Sequence, residues 1–168
     1  MLKRLGALVG FFGLGLVLLA SPARAATGSQ SFRIIFTGNP RAGSRGTVIA
    51  AGVANGVGFD ETIAQDPHPD GSETDTDRIT LPGGTITILD TDPPDTATFN
   101  PLTCTATLAV AGAPYTVVGG TGAYAGASGS GTFSARGLVV FGRTATGCTD
   151  DIVVFFADVR LTGTLSVP

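Results

Sequence analysis

Apolar and polar positions alternate with a period of two through most of residues 26–168. Ser31–Thr37 sets Phe32, Ile34 and Phe36 on one side, the spacing at which an extended chain turns alternate side chains to a common face. Thr47–Phe59 alternates Ile49, Ala51, Val53, Val57 and Phe59 against mostly small residues, with Asn55 the one polar member of the series. Arg78–Leu81 and Thr85–Asp90 are parted by Pro82-Gly83-Gly84, which reads as a hairpin turn or a strand break. Further strands are expected at Cys104–Val110, Tyr115–Val118, Gly131–Phe141 and Ile152–Val167. In the last, Val153, Phe155, Ala157, Val159, Leu161, Leu165 and Val167 form one apolar face, while the other passes from Ile152, Val154 and Phe156 to Asp158, Arg160 and Thr162. Gly and Pro recur every few residues and Thr and Val fill the ordered-looking segments, which nearly excludes helix. The expectation is an all-β domain of about eight strands, a sandwich or an antiparallel barrel, and a barrel would close its own edges.

One segment breaks the alternation of apolar residues. Residues 60–77 hold seven of the 13 carboxylates (Asp60, Glu61, Asp66, Asp70, Glu73, Asp75 and Asp77), with Pro67 and Pro69 and few apolar side chains. That composition predicts an exposed, mobile acidic loop between two strands. Its alternating oxygen donors from Asp70 to Asp77 suit a hard cation, but the glycine follows the first Asp directly and no closing Glu completes an EF-hand loop. A solvated loop without a metal is therefore expected.

The N-terminal residues have another character. Lys3 and Arg4 precede an apolar run from Leu5 to Ala20, Ser21-Pro22 breaks it, and Ala23-Arg24-Ala25 offers small residues for cleavage before Ala26. This is the layout of a signal peptide over residues 1–25, and the run falls short of the ~20 residues that span a bilayer. Export would leave residues 26–168 as a single secreted domain with seven arginines, no lysine and all 13 carboxylates. A chain this acidic lacks the cationic footprint for nucleic acid or anionic membrane surfaces. Cys104 and Cys148 both lie in that domain, and two thiols in an oxidising compartment are expected to pair.

Candidate chemistry is sparse. The only His, His68, sits between two prolines, which disfavours a nucleophile–His pair, and no zinc-ligand spacing occurs. Gly119-Gly120-Thr121-Gly122-Ala123-Tyr124-Ala125 loosely matches a dinucleotide fingerprint, but Gly126 and the glycines after it will not hold the helix which that site requires. Asp158 and Arg160 are two apart on one strand and face the same way, with Arg136 a third member if its strand is adjacent; an ordinary surface ion pair is the preferred reading.

The stretch Tyr115–Phe133, with its Gly119-Gly120-Thr121-Gly122 turn, Tyr124 and Gly126, resembles the signature of the allene oxide cyclase barrel and dirigent proteins. Leu81-Pro-Gly-Gly-Thr-Ile-Thr-Ile and Phe99-Asn-Pro-Leu-Thr-Cys-Thr-Ala-Thr look similar to secreted bacterial members of that superfamily. The resemblance implies an eight-stranded antiparallel β-barrel, often trimeric, with an apolar cavity and neither metal nor organic cofactor. In the cyclases a carboxylate on the first strand assists the reaction, but Ser31–Thr37 carries no Asp or Glu, so no catalytic residue is transferred. The glycines read as architectural, with Tyr124 locking the corner.

Three functions stay open at this point. The barrel binds or sterically guides a small hydrophobic molecule; or it is an isomerase or cyclase using a carboxylate from elsewhere, with Asp60, Asp90 and Asp158 (beside Arg160) as candidates; or it is a structural or interaction protein with a packed interior. A cavity holding a carboxylate of raised pKa would favour the enzyme, an empty apolar cavity the binding protein and a filled interior the third.

Overall fold

Successive strands of the barrel pair in antiparallel fashion, and the first pairs with the last. This is seen in a computed structural model that describes residues 25–38, 45–94 and 97–168. Among these residues the strands are β1 (Ala26–Gly38), β2 (Gly46–Gly52), β3 (Gly56–Pro67), β4 (Glu73–Leu81), β5 (Gly84–Asp92), β6 (Thr98–Asn100), β7 (Thr105–Gly120), β8 (Ser128–Thr144) and β9 (Gly147–Val167). The sheet runs β5-β4-β3-β2-β1-β9-β8-β7, and β5 pairs with β7 to close an eight-stranded barrel; β6 adds to β7 from outside. The β1–β9 seam extends from Ala26↔Val167 to Gly38↔Phe155. The barrel is thus the expected fold, and closure removes the unpaired edges a flat sheet would expose.

One end of the barrel is filled. Phe32, Val48, Ile79, Leu81, Ile86, Tyr115, Val117, Phe133 and Leu165 are buried there, each large side chain contributing roughly 1.5–3 kcal/mol on leaving water. Gly131 and Gly163 make room for Tyr115, since a Cβ at either would stand 2.7 or 2.8 Å from its side chain. Gln30 ties the β2–β3 turn across this end: its Oε1 accepts from the Ala54 N–H at 2.8 Å and its Nε2 donates to the Ala54 carbonyl at 3.0 Å. The Gly-Gly-Thr-Gly turn closes against the β4–β5 turn. Ala123 N–H donates to Gly83 O at 2.8 Å, Thr121 Oγ1 accepts from Thr85 N–H at 3.2 Å, and Tyr124 Oη donates to Pro82 O at 3.3 Å. These contacts give the glycine motif an architectural job.

Beyond the other end, β7, β8 and β9 run on as a ribbon. Cys104 and Cys148 are bonded there with Cα atoms 5.4 Å apart, and Phe99 packs edge-on against Phe141 with centroids 5.7 Å apart. The bond joins the segment after β6 to the start of β9 and matches an oxidising environment.

Three expectations are corrected or left aside. Thr47–Phe59 is two strands with a turn at Val53–Asn55, and its apolar series Ile49, Val57 and Phe59 faces outward, 46, 63 and 37 % exposed. The small residues opposite line the narrow interior. Residues 60–77 are not a loop: they form the β3–β4 hairpin, joined only by a short turn around His68–Ser72. Ladder hydrogen bonds on both sides hold β4, with Thr supplying β-branched outward positions. Residues 1–25, read as a signal peptide, lie outside the described residues except Ala25.

Candidate functional site

Where β3, β4 and β5 leave the filled end, the inward residue becomes acid, after Gly58 on β3 and after aliphatic residues on β4 and β5. On β4 the inward series is Leu81, Ile79, Asp77 and Asp75; on β5 it is Ile86, Ile88, Asp90 and Asp92. Asp75 stands opposite Asp90 in the β4–β5 ladder, and Asp60 on β3 stands opposite Ile79. The strand period alone therefore brings five aspartates, drawn from a 33-residue stretch of sequence, to one wall. Facing them are Ile34 and Phe36 from β1, Phe133 and Ala135 from β8, and Val159 and Leu161 from β9. Together they enclose a cavity of about 130 Å³.

Asp60 is the deepest of the five. It is 0 % exposed and neither carboxyl oxygen has a hydrogen-bond partner. Burial, followed by the nearby Asp77, Asp90 and Glu61 carboxyls, pushes its pKa up to about 8. Asp90 is likewise pushed up to about 8, by burial and then by Asp77, Asp92 and Asp75. Burial raises Asp77 too, against the opposing pull of hydrogen bonds from Thr62 and Asp90. Asp77 and Asp90 are hydrogen-bonded to one another, which requires a proton shared between the two carboxyls, while the Oδ1 atoms of both remain unpartnered. Asp75 rises to about 7 through burial, partly offset by its 3.4 Å hydrogen bond from Gln65. Asp92 is raised by burial, then by Asp77 and Glu73. At neutral pH Asp60 and Asp90 are protonated, because ionised carboxylates out of water and side by side are costly.

The aspartate cavity continues into a wider one of about 440 Å³, the two sharing Phe36, Thr62, Asp75, Asp92, Ala135 and Val159. The wider space is lined mainly by apolar residues, among them Leu108, Val110, Phe155 and Ala157, with Glu73 and Arg136 at its border. No Lys, Arg or His lines the inner cavity.

Of the carboxylates singled out in the sequence, Asp60 and Asp90 meet here, whereas Asp158 and Arg160 do not. Asp158 lies on the outer surface, where Arg33 donates to it from Nε at 3.1 Å and Nη2 at 2.8 Å, and Arg160 at 3.4 Å. The Arg33 hydrogen bond chiefly holds Asp158 below the usual carboxylate range. Asp75, Asp77 and Asp92 were not recognised as site residues. Their signal is the unbroken period-two phase from Leu81 back to Asp75 and from Ile86 on to Asp92. His68 sits in the hairpin turn with Nε2 2.8 Å from Thr74 Oγ1, and Asp70 accepts from the Ser72 N–H and hydroxyl. Among the described residues no group of three or more acid, His or Cys side chains is placed to hold a metal ion, and no helix is long and apolar enough to cross a membrane. No known protein family, curated protein or solved structure matches the chain.

Proposed function

We propose that the barrel binds a small molecule whose apolar body occupies the wider cavity and whose polar end rests on the aspartate wall. The observation that carries this reading is Asp60, fully buried, without a partner, and facing a space continuous with the apolar cavity. A barrel with a purely structural interior gains more from aliphatic residues at these positions, as the same strands have at Ile79, Ile86 and Ile88. The two cavities together fall within the size range of small-molecule sites. Export through residues 1–25 and kinship with allene oxide cyclase and dirigent barrels, including their trimeric assembly, belong to this reading as proposals.

A fluorescence titration with N-phenyl-1-naphthylamine tests it. We expect one-site, blue-shifted emission with the disulfide-bonded protein, weakened about tenfold or more in Ala135→Phe, which fills the junction of the cavities. No enhancement, or equal enhancement in a folded Ala135→Phe variant, would refute binding in the barrel.

A second reading has separate support. With Asp60 protonated up to about pH 8 and a proton shared between Asp77 and Asp90, acid and base stand together at neutral pH, the equipment of a cofactor-free isomerase or cyclase. Such an activity would fall with the titration of the wall above pH 8 and would be lost in Asp60→Asn.

A further inference from the structure

We propose that the polar end of the ligand is an organic cation, a protonated amine or a guanidinium on an apolar body, received by Asp60, Asp77 and Asp90. This rests on the binding reading above and names the ligand's class.

The first support is a donor and acceptor inventory. Both oxygens of Asp60 and the Oδ1 atoms of Asp77 and Asp90 are buried without hydrogen-bond partners, and once the wall ionises all of them are acceptors. The only polar side chain in the inner lining besides the aspartates is Thr62, and its hydroxyl already serves Asp77. An ammonium brings three donors and no acceptor, and a guanidinium five donors. A carbonyl or ether brings acceptors alone and would find only the acids' own protons.

Charge points the same way. Asp60 faces Asp75 and Asp77 from β4 and Asp90 and Asp92 from β5, with Glu61 its charged neighbour on β3; β1, β8 and β9 contribute apolar side chains. Four of the described arginines serve outer acids, Arg33 and Arg160 on Asp158 and Arg45 and Arg78 on Glu61, while Arg136 lines the wider cavity and not the inner one. Nothing the protein itself places in the inner cavity neutralises an ionised wall. The cation should be organic because the described acids form no metal-holding set, while Phe36, Phe133, Leu108 and Phe155 offer a surface for a hydrocarbon body.

The consequence is proton release. A cation at the wall favours the carboxylates, so an aspartic acid O–H gives its proton to the buffer as the ammonium N–H groups take its place. Affinity for an amine then rises with pH, by up to about tenfold per unit where one proton leaves, and levels off above about pH 8. A neutral acceptor ligand, which needs the acid protons, shows the reverse.

Isothermal calorimetry with 1-naphthylmethylamine and its neutral counterpart 1-naphthylmethanol, at pH 6 to 8.5 in buffers of different ionisation enthalpy, decides the matter. We expect the amine to bind about tenfold or more tightly than the alcohol at pH 8, to release about one proton at pH 7, and to lose both properties in Asp60→Asn. Calcium chloride alone should give no proton release. If amine and alcohol bind alike, or the alcohol binds tighter toward low pH, while both displace N-phenyl-1-naphthylamine, the cation class is overturned and binding stands. Calcium alone reproducing the release would overturn an organic cation. If none of the three aromatic probes binds, the binding reading falls and this inference with it.

Discussion

Replacing Asp60 by Asn keeps the size and polarity of the side chain and removes its proton equilibrium. The folded protein lifts this carboxyl from the ordinary 3.8 to about 8, so between those values the folded state binds a proton that the unfolded state has lost. Stability therefore falls as pH rises through that window and is flat on either side. At about 1.4 kcal/mol per unit the gap amounts to roughly 6 kcal/mol above pH 8. Asp77 and Asp90 share the titration, so a difference of about 3–5 kcal/mol between variant and wild type is the fair expectation at pH 8, shrinking to within about 1 kcal/mol near pH 4. Urea unfolding of the disulfide-bonded protein at pH 4, 6 and 8, for wild type and Asp60→Asn, measures it. The variant should be the more stable protein at pH 8. Parallel stability profiles over the whole range would refute the buried, protonated Asp60 on which the site rests.

Three other outcomes follow from the same structure. Cys104→Ser with Cys148→Ser opens a bond spanning 44 residues of sequence and should cost about 4 kcal/mol on loop-entropy grounds, read as a lower urea midpoint. Gly122→Ala should cost more than about 2 kcal/mol, because Gly122 sits at φ +61° and a Cβ would collide with the Gly83 carbonyl oxygen; thermal unfolding would show it, and an unchanged midpoint would deny the turn its role. Asp158→Ala removes an exposed ion pair with Arg33 and Arg160 and should leave both the urea midpoint and N-phenyl-1-naphthylamine binding within replicate scatter.

The barrel was legible because most inward positions are apolar and recur every second residue. Phe32, Ile34 and Phe36 on β1 and Phe155 through Leu165 on β9 announce their strands without help from the rest of the chain. Two features escaped for one shared reason, which is that hydrophobicity was made to stand for direction. On β2 and β3 the larger apolar residues Ile49, Val57 and Phe59 point outward, because a narrow closed interior there accepts only Val48, Ala50 and glycine. On β4 the inward positions beyond Ile79 are acids, and Glu73-Thr-Asp-Thr-Asp77 reads as a loop by composition although its alternation runs unbroken into Arg78–Leu81. The strand period is set by backbone geometry and does not depend on which residue type occupies the inner face.

That distinction has a use beyond bookkeeping of strands. Around Pro82-Gly83 the flanking segments are near mirror images: Ile79 meets Ile86 and Asp75 meets Asp90 in the ladder, while Asp77 meets Ile88, so the change from aliphatic to acid comes one inward pair nearer the turn on β4 than on β5. Symmetry of this kind is readable from sequence, and it says that the acids of both arms lie side by side on one face. A surface hairpin would separate them or alternate them with cations, since like charges directly opposite one another destabilise a sheet. Among the described residues no cation lines the aspartate cavity, and Arg33, Arg45, Arg78 and Arg160 serve Glu61 and Asp158 on the outside. The cost of that arrangement is largest when the cavity is empty and falls when something positive or proton-rich occupies it. Stability that depends on pH and on an occupant in this way is what separates a site from a core, and in the proposed reading both dependences trace to Asp60.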